Sequence, residues 1–185
     1  GDDQLNGGTG IDTAKFTGVY ADYSSSSSKS TFTLIDKRSN VDGMDVLTNV
    51  ERLKFSDKSV AIDLDGHAGI AVKVIGAVLG KDAVKNPGLV GIGLSYLDLD
   101  LSYSDLGLLA LSAVGATSSD AIVSRLWFNL VGSTASALEK APYIKMLADG
   151  MKPGDLVVMA ADLPLNASNI DLVGLMQTGV EFVLG

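Results

Sequence analysis

Two patterns of apolar residues divide the chain near residue 66. Segments rich in Thr, Val, Phe and Tyr at 13–23 and 31–35 are typical of strands, and the serine run 24–28 between them predicts a flexible excursion. From Ile70 onward, apolar residues recur at three- and four-residue spacing after Ser, Asp or Asn, as in capped amphipathic helices. We therefore predict an α+β fold, with a β segment over 1–66 and an all-α domain over 67–185.

The helical part repeats itself at an offset of roughly fifty residues, which predicts stacked helix–loop–helix units. Val78-Leu79-Gly80 recurs as Leu130-Val131-Gly132, and Asp105-Leu106 recurs as Asp155-Leu156. The predicted units cover 70–119 and 120–169, and a partial third unit ends at Phe182.

Trp127, Phe128 and Tyr143 allow two interpretations. They could form a stacking platform for a glycan, or they could belong to the core of the helical domain. Leu126, Trp127 and Leu130 share one helical stripe, which favours core packing.

A glycine–aspartate repeat opens the chain. Gly7–Lys15 matches the nonapeptide G-G-x-G-x-D-x-U-x position by position, and Gly1, Asp3 and Leu5 fill half of the same frame one repeat earlier. Glycines allow backbone angles closed to other residues, so carbonyl oxygens can converge on a hard cation while aspartate supplies charge. Stacked turns of this kind form a parallel β-roll. The alternative is a Gly- and Asp-rich surface turn without metal.

Further acidic turns extend the candidate calcium ligands. Asp42 lies beside Gly43-Met44-Asp45, which repeats the half-frame, and Asp63 and Asp65 have the spacing of carboxylates in calcium loops. A solvated hairpin turn and a turn that caps the next helix remain alternatives for these two segments. The predicted Ca²⁺ ligand set is Asp3, Gly8, Thr9, Gly10, Asp12, Asp42, Asp45, Asp63 and Asp65.

Composition narrows the classes of function. Lys and Arg number 14 against 22 Asp and Glu, so the net charge is −8 and no basic surface is expected for nucleic acid. No apolar run reaches the length of about 18 residues that a membrane span needs. His67 is the one histidine, and the H-E-x-x-H, G-x-S-x-G and phosphate-loop motifs do not occur. We therefore expect a non-catalytic protein.

Val41–Phe55 resembles the D-G-x-D-x-L-x-N-V-E-R-L-x-F stretch that follows the last repeats of RTX proteins. Together with Gly7–Lys15, it resembles the C-terminal region of this family, whose hemolysin-type repeats bind calcium and whose members leave bacteria through type I secretion. The helical half is similar to a domain of undetermined function in RTX-associated and surface-layer-like proteins. Leu79-Gly80 and Pro87-Gly88 fit that domain, whereas Lys81 and Ser133 replace its usual Arg.

The resemblance implies a secreted calcium-binding module for export and folding, with calcium ions and the type I secretion machinery as partners. The chain opens inside a repeat, so we expect a fragment of a longer exported protein. The main alternative is calcium-dependent assembly or attachment at the cell surface, through self-association or cell-surface polysaccharide. A hydrolase built around His67 is a third hypothesis.

Two properties of the halves follow from this picture. The acidic turns cluster before Asp65, so we expect the helical half to fold without calcium. The ending Glu181–Leu184 is either part of an export signal or the packing of the last repeat.

Overall fold

A computed structural model describes residues 1–28, 31–39 and 41–184. Within these residues the fold is mixed α/β, with eight strands and eight α-helices. The strands are β1 (Gln4–Asn6), β2 (Thr13–Lys15), β3 (Tyr23–Ser27), β4 (Phe32–Asp36), β5 (Met44–Thr48), β6 (Arg52–Lys54), β7 (Ser59–Ala61) and β8 (Val180–Phe182). The helices are α1 (His67–Leu79), α2 (Pro87–Leu97), α3 (Tyr103–Ala113), α4 (Ser119–Val131), α5 (Ala137–Ala148), α6 (Pro153–Ala161), α7 (Pro164–Asn169) and α8 (Leu172–Thr178).

The strands form two small mixed sheets. One has the order β1-β5-β4-β3 and the other has the order β2-β6-β7-β8. The pairs β1–β5 and β2–β6 are parallel, with Gln4 opposite Val46 and Thr13 opposite Arg52, and the remaining pairs are antiparallel. Each sheet therefore receives one strand from the glycine–aspartate segment and one from the segment around Val41–Phe55.

Alternation along β4 and β5 builds the core of the β segment. Phe32 and Leu34 of β4 and Leu47 of β5 are buried, because side chains on one face of a strand recur every second residue. The rings of Phe16 and Tyr23 pack against Phe55 with centroids 5.5 and 5.1 Å away. The resulting aromatic cluster fills the space under the two short sheets.

The serine run was wrongly predicted as a flexible excursion. Tyr23–Ser27 form β3, which pairs along its length with β4, and Ser25 donates a hydrogen bond of 2.9 Å to the carbonyl of Gln177. A strand with polar side chains is stable here because its backbone groups pair with β4 and α8 lies beside it.

Helix α1 is the centre of the helical part, since nine of its 13 residues are buried. Gly76 permits close packing there, because a Cβ at this position would lie 2.4 Å from Ile170. The predicted capping residues are confirmed: side chains at the residue before the helix accept hydrogen bonds from its first turn at Asn86, Ser102, Ser118, Ser136 and Asp171.

The helix bounds recur at the offset expected for a duplication. Helices α1 and α4 both have 13 residues and start 52 positions apart, at His67 and Ser119. Helix α6 starts 50 positions after α3, and the two helices pack face to face. Ser104 meets Gly154, and Gly107 meets Val157, so equivalent positions of the two units contact each other.

The C-terminal segment returns to the β segment as a strand. β8 pairs antiparallel with β7, with Val180 opposite Ala61, and the Val183 amide donates to the Pro87 carbonyl at 2.9 Å. The second domain is therefore not all-α as predicted. A β-branched and aromatic sequence adds to the free edge of β7 where the last repeat was expected to finish as a helix.

Arg52 of β6 joins the sheet to the helices. Its guanidinium forms ion pairs with Asp63, in the loop before α1, and with Asp98 at the end of α2, 3.0 Å away. It also lies 5.8 Å from the centre of the Phe182 ring in β8. The side chain is only 5% exposed, so these contacts replace water around a permanent charge.

We predict that Arg52→Met destabilises the protein by about 3–5 kcal/mol, because it leaves two partly buried carboxylates without their cation. Lys58→Met is the matched control, since it breaks the more exposed Lys58–Glu181 pair between the sheet and β8 and should cost at most about 1 kcal/mol. Urea unfolding measures both free energies. Equal losses in the two variants would show that Arg52 is an ordinary surface ion pair.

We also predict that Phe182→Ala lowers the free energy of unfolding by about 3–5 kcal/mol, because Phe182 is buried at the end of sheet and helix core. Leu184→Ala, two residues later, should change it by less than about 0.5 kcal/mol, because Leu184 is 57% exposed. Thermal or urea unfolding of the purified variants decides this. A Phe182→Ala variant as stable as wild type would contradict the packing role.

Candidate metal centre

The nine predicted ligands lie in three places in the fold. Asp3, Asp42 and Asp45 precede the parallel strands β1 and β5. Gly8, Thr9, Gly10 and Asp12 belong to the turn between β1 and β2. Asp63 and Asp65 lie in the loop between β7 and α1. The structure therefore divides the set among separate turns rather than gathering it at one point.

The turn between β1 and β2 has the backbone that its glycines predict. Gly8 and Gly10 have φ of 91° and 105°, a region that other residues rarely adopt. Gly7 lies so close to the neighbouring turn that an added Cβ would be 2.0 Å from the Asn49 carbonyl oxygen and 2.9 Å from the Asp12 carboxyl carbon. A backbone carbonyl oxygen and a carboxylate thus approach the same glycine.

Asp12 is held by the turn that connects β5 and β6. Its amide donates to the Glu51 carboxylate at 2.8 Å, and its carbonyl accepts from the amides of Glu51 and Arg52 at 3.3 and 3.0 Å. The Oδ2 atom of Asp12 is buried and has no hydrogen-bond partner among the described residues. A buried carboxylate oxygen without a donor is costly, so this atom fits a role as a ligand to a cation.

Asp3 and Asp45 come together at the other end of β1 and β5. The Asp3 amide donates to Asp45 Oδ1 at 3.0 Å, and the Asp3 carbonyl accepts from the Val46 amide at 2.9 Å. Burial raises the pKa of the Asp45 carboxyl above its usual value, and the nearby Asp3 carboxylate adds to that rise. This pair also suits a cation, which would favour the ionised carboxylate.

Asp42 has a different environment. Its carboxylate accepts hydrogen bonds from the Tyr23 hydroxyl and from the Thr17 amide and hydroxyl, and it pairs with Arg38 at 3.2 Å. The Tyr23 hydrogen bond lowers the pKa of Asp42. These protein donors already account for the carboxylate, so the prediction that Asp42 binds calcium gains no support from the geometry.

Asp63 likewise has protein partners. It pairs with Arg52 and accepts from the Ala68 amide at 3.3 Å, so it caps the first turn of α1, as the alternative interpretation held. Desolvation raises the pKa of Asp63, although Arg52 opposes that rise. Asp65 is exposed, and it lines a cleft of about 430 Å³ with Glu51 and Asp63. His67 contacts Asp98, at 2.8 Å, instead of a predicted ligand.

The sequence analysis overlooked Glu51 and the carbonyl of Asn49. Both lie within the Val41–Phe55 stretch, yet that stretch carries no sign that they face Asp12 from 39 and 37 positions away. The parallel register of β2 against β6 brings them together. A search for carboxylates beside each glycine-rich turn in a stacked arrangement would have found Glu51.

Within residues 1–28, 31–39 and 41–184, no three Asp, Glu or His side chains gather closely enough to hold a metal ion by themselves. A calcium site in the turns would therefore include carbonyl oxygens, which are ordinary calcium ligands. No helix in this part of the chain is long and apolar enough to cross a membrane. Comparisons with protein-family models, curated proteins and solved structures found no match to this chain.

The raised pKa of Asp45 predicts a pH dependence in calcium-free buffer. The folded state takes up this proton at a higher pH than the unfolded state, so wild type gains stability as pH falls through the raised pKa. The gain is complete below the unfolded value of about 4. Asp45→Asn should lack it, whereas Asp149→Asn, at an exposed position, should follow wild type. Urea unfolding across this pH range in EDTA compares the three proteins, and identical curves for wild type and Asp45→Asn would contradict the prediction.

Proposed function

We propose that this chain is a non-catalytic, calcium-binding module whose folded state is stabilised by the ion. The turn between β1 and β2 would hold calcium through Asp12, assisted by backbone carbonyls of that turn and of Asn49. The observation that carries the proposal is the buried and unpartnered Oδ2 atom of Asp12. Asp3 and Asp45 are the candidate ligands of a second ion. Calcium would supply a positive charge that the protein does not place at either turn.

The strand arrangement supports a β-roll as the scaffold of these turns. The chain runs through β1 in one sheet and β2 in the other, and later through β5 and β6 in the same order and direction. Leu5 lies beside Leu47, and Ala14 beside Leu53, so the apolar positions two residues after each aspartate or arginine stack in rows. We propose that these are two turns of a β-roll, with the hairpin β3–β4 inserted between them.

Calcium dependence follows from linkage. An ion that binds the folded state stabilises it by RT ln(1 + [L]/Kd), which is about 2.7 kcal/mol at a hundredfold excess over Kd. The net charge of −8 adds to this dependence, because unneutralised acidic turns repel each other. We had expected the helical half to fold without calcium. The contacts of Arg52 and β8 with both halves lead us to propose instead that calcium also steadies the helices.

The resemblance of Gly7–Lys15 and Val41–Phe55 to RTX proteins supports a place outside the cell, reached through type I secretion. In that setting the module would stay unfolded where calcium is scarce and fold after export. The candidate export segment at the C-terminus overlaps β8, so Phe182 would act in folding whether or not it also acts in secretion.

Surface assembly is the second candidate function. Leu99, after α2, and Leu138, in α5, are 80% and 85% exposed, and exposed leucines of this kind favour contact with another protein surface. Light scattering with and without calcium separates the candidates. Calcium-dependent oligomers support assembly, and a monomer in both conditions supports the folding module.

We predict that wild type binds calcium in isothermal titration calorimetry and melts at a higher temperature in calcium than in EDTA. Asp12→Asn should weaken binding at least about tenfold, because it removes a charge from the ion's ligand set. Asp149→Asn removes the same charge from an exposed position beside Lys145 and should bind as wild type does.

Absence of heat and of a melting shift at millimolar calcium in wild type would refute the proposal. Equal affinities of Asp12→Asn and wild type would place the ion elsewhere. The Asp45→Asn variant then tests the second pair of turns by the same two measurements.

A further inference from the structure

The two helical units differ at the contact between their first and second helices. In the first unit Gly93 of α2 packs on Ala71 of α1, where an added Cβ would lie 3.1 Å from the Ala71 Cβ. In the second unit the equivalent positions are Tyr143 of α5 and Val123 of α4. Because both side chains are larger, α4 and α5 cannot approach each other as closely as α1 and α2.

A second replacement accompanies the first. Ile75 of α1 is buried, and its equivalent in α4 is Trp127, whose ring lies 6.5 Å from that of Tyr143. Between α4, α5, α6 and the start of α7 these substitutions leave a cavity of about 110 Å³. Its lining is wholly apolar: Val123, Leu126, Trp127, Leu130, Val131, Tyr143, Leu156, Met159, Ala160, Leu163 and Leu165. Protein interiors are otherwise close-packed, so an opening at a duplicated contact is a property of this unit.

The indole nitrogen of Trp127 gives a second, independent indication. It is buried and donates to no acceptor among the described residues. The aromatic residues were expected to pack in the core, and Leu126 and Leu130 do so, whereas Trp127 forms a wall of the cavity and keeps an unused donor. An acceptor from a bound molecule would satisfy it after a small tilt of the ring.

We propose that this cavity binds a small uncharged molecule, with one ring or a branched chain of similar size, that carries a carbonyl or ether oxygen for Trp127. The size follows from the volume, since an apolar cavity of about 150 Å³ is enough for benzene. The lack of charge follows from the lining, which offers no charged side chain to a buried ion. This site is separate from the acidic turns and does not depend on calcium.

Nuclear magnetic resonance tests the proposal directly, because the chain has one tryptophan and so one indole N–H signal. Cyclohexanone should shift that signal downfield in a saturable titration. Methylcyclohexane has a similar shape without the oxygen, and we expect it to bind about five- to tenfold more weakly. An indole signal that does not move at cyclohexanone concentrations that leave the protein folded would refute the proposal.

Matched variants locate the site. Met159→Phe narrows the cavity and should weaken cyclohexanone binding at least about fivefold, since a filled site loses its contacts with the ring. Leu109→Phe is the control, because Leu109 is the equivalent residue of the first unit and both side chains are 37% exposed. Equal weakening by the two variants would overturn the assignment.

Trp127→Phe tests the hydrogen bond. It should bind cyclohexanone and methylcyclohexane equally, as followed by the methyl signals of the lining residues. A retained preference for the ketone would show that Trp127 is not the donor. Concentration-dependent shifts of the wild-type indole signal without any probe would show that a second copy of the chain covers the cavity, and would also overturn the proposal.

Discussion

The burial of Arg52 is the constraint on which the arrangement of sheet and helices depends. A guanidinium keeps its charge at any pH at which the protein folds, so it enters the interior only with carboxylates and aromatic rings around it. Asp63, Asp98 and Phe182 supply these contacts from three separate parts of the chain. The start of α1, the end of α2 and strand β8 must therefore assemble around one residue of β6.

The candidate calcium turns are tied to the same point. Glu51 and Arg52 are neighbours on the chain, and successive side chains of an extended segment point to opposite sides. Glu51 holds the amide of Asp12, while Arg52 reaches into the helices. A change at the turn thus reaches the helical layer through two adjacent residues, which gives a physical basis for a shared response of the two halves to calcium.

The duplication shows how one packing arrangement acquired two properties. Gly93 and Ala71 let α1 and α2 pack closely, and α1 became the buried centre of the helical part. Tyr143 and Val123 hold α4 and α5 apart at the same place in the second unit, and α5 has no buried residue. The contact between α3 and α6 keeps both units in one body, so the second unit can remain open without loss of the fold.

The sequence alone determined what depends on residues close together in the chain. Positive φ at Gly8 and Gly10, the serine and asparagine caps, the amphipathic helices and their repeat offset all follow from local rules over a few residues. The tertiary structure decided which carboxylates keep a free oxygen. Asp42 and Asp12 look alike in sequence, yet Tyr23 and Arg38 surround the first, and Oδ2 of the second has no donor. Those partners come from distant segments through strand register, as does the pairing of β8 with β7. Register depends on how whole faces are buried, and no local pattern encodes it.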